Sequence, residues 1–105
     1  MTRDIAEKIR LAVYCFYDKQ GIVDGYVPVF LDGLREVAER IYVVVNGTVG
    51  DEGLAVLRNH SDEVILRPND GYDVTAYKAG LSHILSEKEN VSSVTLCNDI
   101  LDKAA

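Results

Sequence analysis

A chain of 105 residues with a net charge of −6, 48% hydrophobic and 27% charged, has the balance of a single globular domain and excludes a disordered or fibrous class. The acidic surplus excludes a general nucleic-acid surface, which needs a basic face, but still permits one nucleotide held locally by backbone amides and a single cation. No apolar run approaches the roughly 20 residues of a membrane helix, and MTRDIAEKIR lacks the apolar core of a signal peptide, so the expected location is cytoplasmic.

Residues 1–9 form an N-terminal extension. Residues 10–17, RLAVYCFY, are β-branched and aromatic and predict the first strand. DKQGIVDGY follows as a loop. Val27, Phe30, Leu31, Leu34, Val37 and Ala38 then recur at helical spacing, with Asp24 as the expected N-cap and Pro28 in the first turn, where proline is tolerated. Gly33 inside this helix costs about 1 kcal/mol relative to alanine, which close packing on the sheet would explain.

IYVVV, residues 41–45, is a second strand without polar alternation, as expected for a strand covered on both faces. Asn46-Gly47 ends it. A short helix over 52–58 leads to EVILR, residues 63–67, as the third strand. Residues 73–86 predict a helix with Val74, Tyr77, Leu81, Ile84 and Leu85 on one face, and SVTLC, residues 93–97, is the fourth strand. Cys15 and Cys97 each fall in a strand and are expected to be buried, reduced thiols. His60 and His83 stand alone, without metal-ligand spacing, and are expected as surface or helix-end residues.

The order β-α-β-α-β-α-β calls for a three-layer, Rossmann-like open parallel sheet with right-handed crossovers and strand order 3-2-1-4. Ligands of such sheets sit at the carboxyl ends of the strands where the order reverses. That edge gathers Tyr17-Asp18, then Asn69-Asp70-Gly71-Tyr72-Asp73, then Asn98-Asp99. Each group is ordinary turn chemistry by itself; their convergence on one rim suggests a site. Neither GxGxxG nor GxxxxGK[ST] follows the first strand, and no GxSxG elbow is present. What remains is an acidic crevice with the cation Lys78 and several tyrosines, suited to a base, a ribose and a diphosphate bridged by a metal.

YDKQGIVDGYVPVFLDGL, the GYD-x-x-AYKAGL segment and LCND together resemble the rhamnan synthesis protein F family of rhamnosyltransferases in bacterial surface polysaccharide assembly. The resemblance implies the nucleotide-sugar-binding half of a GT-A-like glycosyltransferase. It also implies donor-binding roles for Tyr17, Asp18, Gly71, Tyr72, Asp73, Lys78, Asn98 and Asp99, beside which Asn69 is a candidate acceptor for base N–H groups and ribose hydroxyls. A divalent cation, magnesium or manganese, would sit on Asp99, and the donor would be a nucleoside-diphosphate rhamnose. Ile100 stands where relatives carry serine.

The polysaccharide acceptor would be bound by a C-terminal half beyond this sequence, so the 105 residues alone are expected to bind nucleotide weakly and not to transfer sugar. The fourth strand is expected at an open edge, either dimerising there or covered by the N-terminal segment. The alternative is a non-catalytic α/β remnant or regulatory interaction module with no nucleotide site. A receiver domain would carry paired acids after the first strand and a late strand-end lysine, and neither is present.

Overall fold

Every strand of an open parallel sheet must find apolar cover on both faces, and two strands here have the sequence for it. A computed structural model describes residues 9–67, 78–83 and 91–98. Strand β1 (Ile9–Phe16), helix α1 (Tyr26–Leu34), strand β2 (Arg40–Asn46), helix α2 (Asp51–Asn59), strand β3 (Glu63–Arg67), the helical residues 78–83 (α3) and strand β4 (Val91–Asn98) follow in order. The sheet is parallel with order β3-β2-β1-β4, as the alternation of elements predicts.

The layering follows from handedness. The steps from β1 to β2 to β3 run in one direction, so right-handed crossovers put α1 and α2 on the same face; the step back to β4 puts α3 on the other. Side-chain alternation matches. Ala12, Tyr14, Phe16, Ile41, Val43 and Val45 pack with Val27, Leu31 and Leu34 of α1 and Leu57 of α2. Leu11, Val13, Cys15, Tyr42 and Val44 form the second core, against which Leu81 of α3 packs. Each such buried side chain contributes about 1.5–3 kcal/mol.

Several local expectations are corrected. Asp24 is not the side-chain cap of α1: Gly25 occupies that position without a side-chain bond, and Asp24 contributes its backbone carbonyl to the Val27 N–H at 3.0 Å. Helix α1 ends at Leu34, and the chain reaches Ala38 through tighter turns closed by Arg35, Glu36 and Val37 N–H groups on carbonyls three residues back. Gly33 does not touch the sheet, since a Cβ there would meet nothing within 4 Å. The close approach belongs to Gly80, whose added Cβ would lie 2.9 Å from Val44 Cγ2 and 3.0 Å from Val13 Cγ1. The histidines are placed as expected, His60 as the C-cap of α2 and His83 part-exposed on α3, and each lies beside a carboxylate: His60 Nδ1 is 2.7 Å from Asp32 Oδ1, and His83 Nε2 is 2.8 Å from Glu63 Oε2. Cys97 sits opposite Tyr14 while Cys15 sits opposite Asn98, so the two thiols point to opposite faces and form no disulfide. Burial raises the Cys97 thiol pKa.

Charged groups lace the amino-terminal edge of the sheet. Glu39 accepts the Arg10 backbone N–H at 2.7 Å and the Arg10 Nε–H at 3.0 Å, and its own N–H donates to the Arg10 carbonyl. Asp62 Oδ2 accepts the Ile41 N–H at 2.7 Å and an Arg35 guanidinium N–H at 2.8 Å. At the far side of the sheet β4 is the edge strand, with Val94 and Leu96 both well exposed. No described helix is long and apolar enough to cross a membrane.

Two measurements test this account. The Arg10 hydrogen bonds hold the Glu39 carboxyl at about 2, below its ordinary 4.5, so its stabilising share is present above pH 4.5 and is lost as pH falls toward 2. Glu39→Gln is expected to flatten the acid limb of the stability curve within that window. In urea unfolding, Gly80→Ala should destabilise by about 1–3 kcal/mol through overpacking, whereas Gly33→Ala should stabilise by about 0.5–1 kcal/mol because its helix site is open.

Candidate functional site

The polar rim lies at the opposite end of the sheet from the Arg10–Glu39 lacing. Strand β1 delivers Tyr17 and Asp18, both half-buried, directly after Phe16. Pairing of Cys15 with Asn98 brings the end of β4 beside them, so two predicted groups, 17–18 and 98, stand on adjacent strands where the strand order reverses. Asn46, 3% exposed, closes β2 and is in register with Arg67 at the end of β3. The Gly47 N–H donates to the Arg67 carbonyl at 2.9 Å, with Gly47 at φ 116°.

Asp18 has a definite local task. Its Oδ2 accepts the N–H groups of Gln20 and Ile22, both at 3.0 Å, while its carbonyl accepts the Gly21 N–H at 3.1 Å. The turn needs Gly21 at φ 73°. A Cβ at that position would lie 3.0 Å from Val49 Cα and 3.1 Å from the Thr48 carbonyl oxygen, so glycine is required twice over. The Gly21 carbonyl then accepts the Gly50 N–H at 3.0 Å, strapping the loop after β1 to the start of α2. Beside that strap an open cleft of about 430 Å³ is lined by Gln20, Ile22, Val23, Glu52, Gly53 and Val56.

Lys78 is exposed and belongs to the layer opposite α1 and α2. It precedes the wedged Gly80 by two residues, about 3 Å nearer the rim along the helix, and so is not in the cleft. Asn69, Gly71, Tyr72, Asp73 and Asp99 lie outside the described residues. Among the described residues no three histidine, cysteine, aspartate or glutamate side chains gather as a cation cage. Arg67 and the cleft escaped sequence analysis. Arg67 was readable as the last residue of an apolar strand, hence a rim cation; the cleft depends on a tertiary strap that no local pattern announces. Asp18→Ala is expected to cost about 1.5–3 kcal/mol and to speed amide exchange at Gln20 and Ile22, whereas Asp18→Asn, which keeps an acceptor oxygen, should retain most of the protection.

No curated protein and no solved structure matches this chain. One family model does, rhamnan synthesis protein F, over residues 41–101. The match starts at β2 and takes in the GYD-x-x-AYKAGL and LCND segments, leaving YDKQGIVDGYVPVFLDGL outside it. It spans more than half of the sequence, and the chain therefore belongs to the rhamnan synthesis protein F family, which assigns it a role in rhamnan synthesis.

Proposed function

We propose that the carboxyl-terminal rim of the sheet binds a nucleoside-diphosphate sugar, a rhamnose donor, as the donor-side unit of a glycosyltransferase. The main support is the pairing of β1 with β2 on one side and β4 on the other, which sets Tyr17-Asp18 beside Asn98 at the reversal of strand order. Tyr17 offers an aromatic face to a base. Asp18 and Asn69 are acceptors for base N–H groups and ribose hydroxyls. Gly71, Tyr72 and Asp73 would contact the nucleotide, and Lys78 and Arg67 would supply positive charge for the diphosphate. Asn98 and Asp99 would hold its far end. A divalent cation, magnesium or manganese, would depend on Asp99 and the diphosphate oxygens, since the described residues form no cage of their own. The polysaccharide acceptor is the partner implied by the family role.

A non-catalytic interaction module is the alternative, favoured by one observation: the Asp18 carboxylate is already engaged in shaping its own loop. The two are separated by titrating isotope-labelled protein with dTDP or UDP, with and without magnesium. Donor binding is expected to move the amide resonances of Tyr17, Asp18 and Asn98 and to tighten several-fold when magnesium is added. Unchanged resonances at millimolar nucleotide, a level that detects binding as weak as about −4 kcal/mol, would leave the interaction module as the function.

A further inference from the structure

The cleft beside the Gly21–Gly50 strap has two fixed walls. One is the loop after β1, where the Asp18 carboxylate accepts the N–H groups of Gln20 and Ile22, both at 3.0 Å. The other is α2, on which Glu52, Gly53 and Val56 fall within an arc of about 100°. The walls are pinned to each other twice. The Gly21 carbonyl accepts the Gly50 N–H at 3.0 Å, and Gly53 lets α2 come so close that a Cβ there would lie 2.7 Å from Val23 Cγ2. The cleft is therefore preformed. Its volume of about 430 Å³ falls within the roughly 300–1,000 Å³ of small-molecule sites.

The lining selects a class of ligand. Ile22, Val23 and Val56 present hydrocarbon, with Ile22 52% exposed. Gln20 and Glu52 supply the polar side chains, and neither is committed to a partner among the described residues. No basic side chain lines the cleft, and α2 opens with Asp51 and Glu52, so a phosphate or carboxylate would meet negative charge. One exposed carboxylate also falls short of the about six oxygens that a hard cation takes. What fits is a neutral molecule with hydroxyls on one side and hydrocarbon on the other. Its hydroxyls would donate to the Glu52 carboxylate in charge-assisted bonds, and the Gln20 amide both donates and accepts. A 6-deoxyhexose has that division, because a methyl replaces the hydroxymethyl of an ordinary hexose.

We propose that this cleft is a saccharide subsite that takes one 6-deoxyhexose unit of the polysaccharide. It adjoins the rim, since Gly21 in its wall donates its N–H to the Asp18 carbonyl at 3.1 Å. The domain would then hold the polymer as well as the donor. The inference rests on the family role in rhamnan synthesis and not on donor binding at the rim.

The test is a titration of the isotope-labelled full chain with methyl rhamnopyranoside to ~50 mM, well beyond the ~1 mM scale of weak binding. The amide resonances of Gln20, Ile22, Gly53 and Val56 are expected to move along one saturating curve. Methyl mannopyranoside of the same ring configuration, the 6-hydroxy analogue, should bind about fourfold more weakly, the loss set by one methyl-sized apolar group. Gln20→Ala and Glu52→Ala, both at exposed positions, should each weaken binding about fivefold, the worth of one hydrogen bond, with the far-ultraviolet circular dichroism unchanged. Unmoved cleft resonances, equal affinity for the two glycosides, or variants that bind as the wild type does would overturn the proposal. Cleft resonances that move with dTDP but not with the rhamnoside would also overturn it and give the cleft to the nucleotide. The nucleotide titration is read at Tyr17, Asp18 and Asn98, so the donor reading and this one fail separately.

Discussion

Strand β1 is the member on which the other elements depend. It is hydrogen-bonded on both edges and covered on both faces, so its six residues from Leu11 onward are buried without exception. A strand in that position cannot slip by one residue without carrying Tyr14 and Phe16 out of one core and Val13 and Cys15 out of the other. Its neighbours are held in register by the same requirement. The loops that follow β1 and β4 therefore meet at a fixed point, and the rim is a consequence of the core.

The two ends of the sheet do different work. At the amino-terminal end, Arg10, Glu39, Asp62 and Arg35 bond to one another and to strand backbone, so those charges are absorbed in holding connections together. At the carboxyl end the glycines at 21 and 47 and the acceptor at Asp18 shape the loops, and an open cleft lies beside Gly21. The family match runs from β2 through β4 and takes in residues at both ends of the sheet, Asp62 at one and Asn98 at the other.

Strand order, parallel pairing and the three layers were legible in the sequence because they follow from strong, non-local regularities: uninterrupted apolar runs, alternation of element types and the handedness of crossovers. Capping was not. Asp24 has the right side chain for a cap, but the chain turns one residue later and uses its carbonyl instead. The glycines were misjudged for a related reason, since composition cannot say which one faces the sheet; Gly80 does and Gly33 does not. Histidine partners were equally hidden, because Asp32 and Glu63 lie far from His60 and His83 in the chain. Of the candidate site, the meeting of residues 17–18 with 98 on one rim could be anticipated from topology. The private role of the Asp18 carboxylate required the folded loop.

The strap between the Gly21 carbonyl and the Gly50 amide has a mechanical corollary. It ties the loop after β1 to the start of α2, and that helix is anchored through His60 to the middle of α1. Any rearrangement at residues 18–22 is thus geared to a helix on the outside of the domain. The loop after β1, the start of α2 and the middle of α1 are joined in series by two hydrogen bonds outside the sheet.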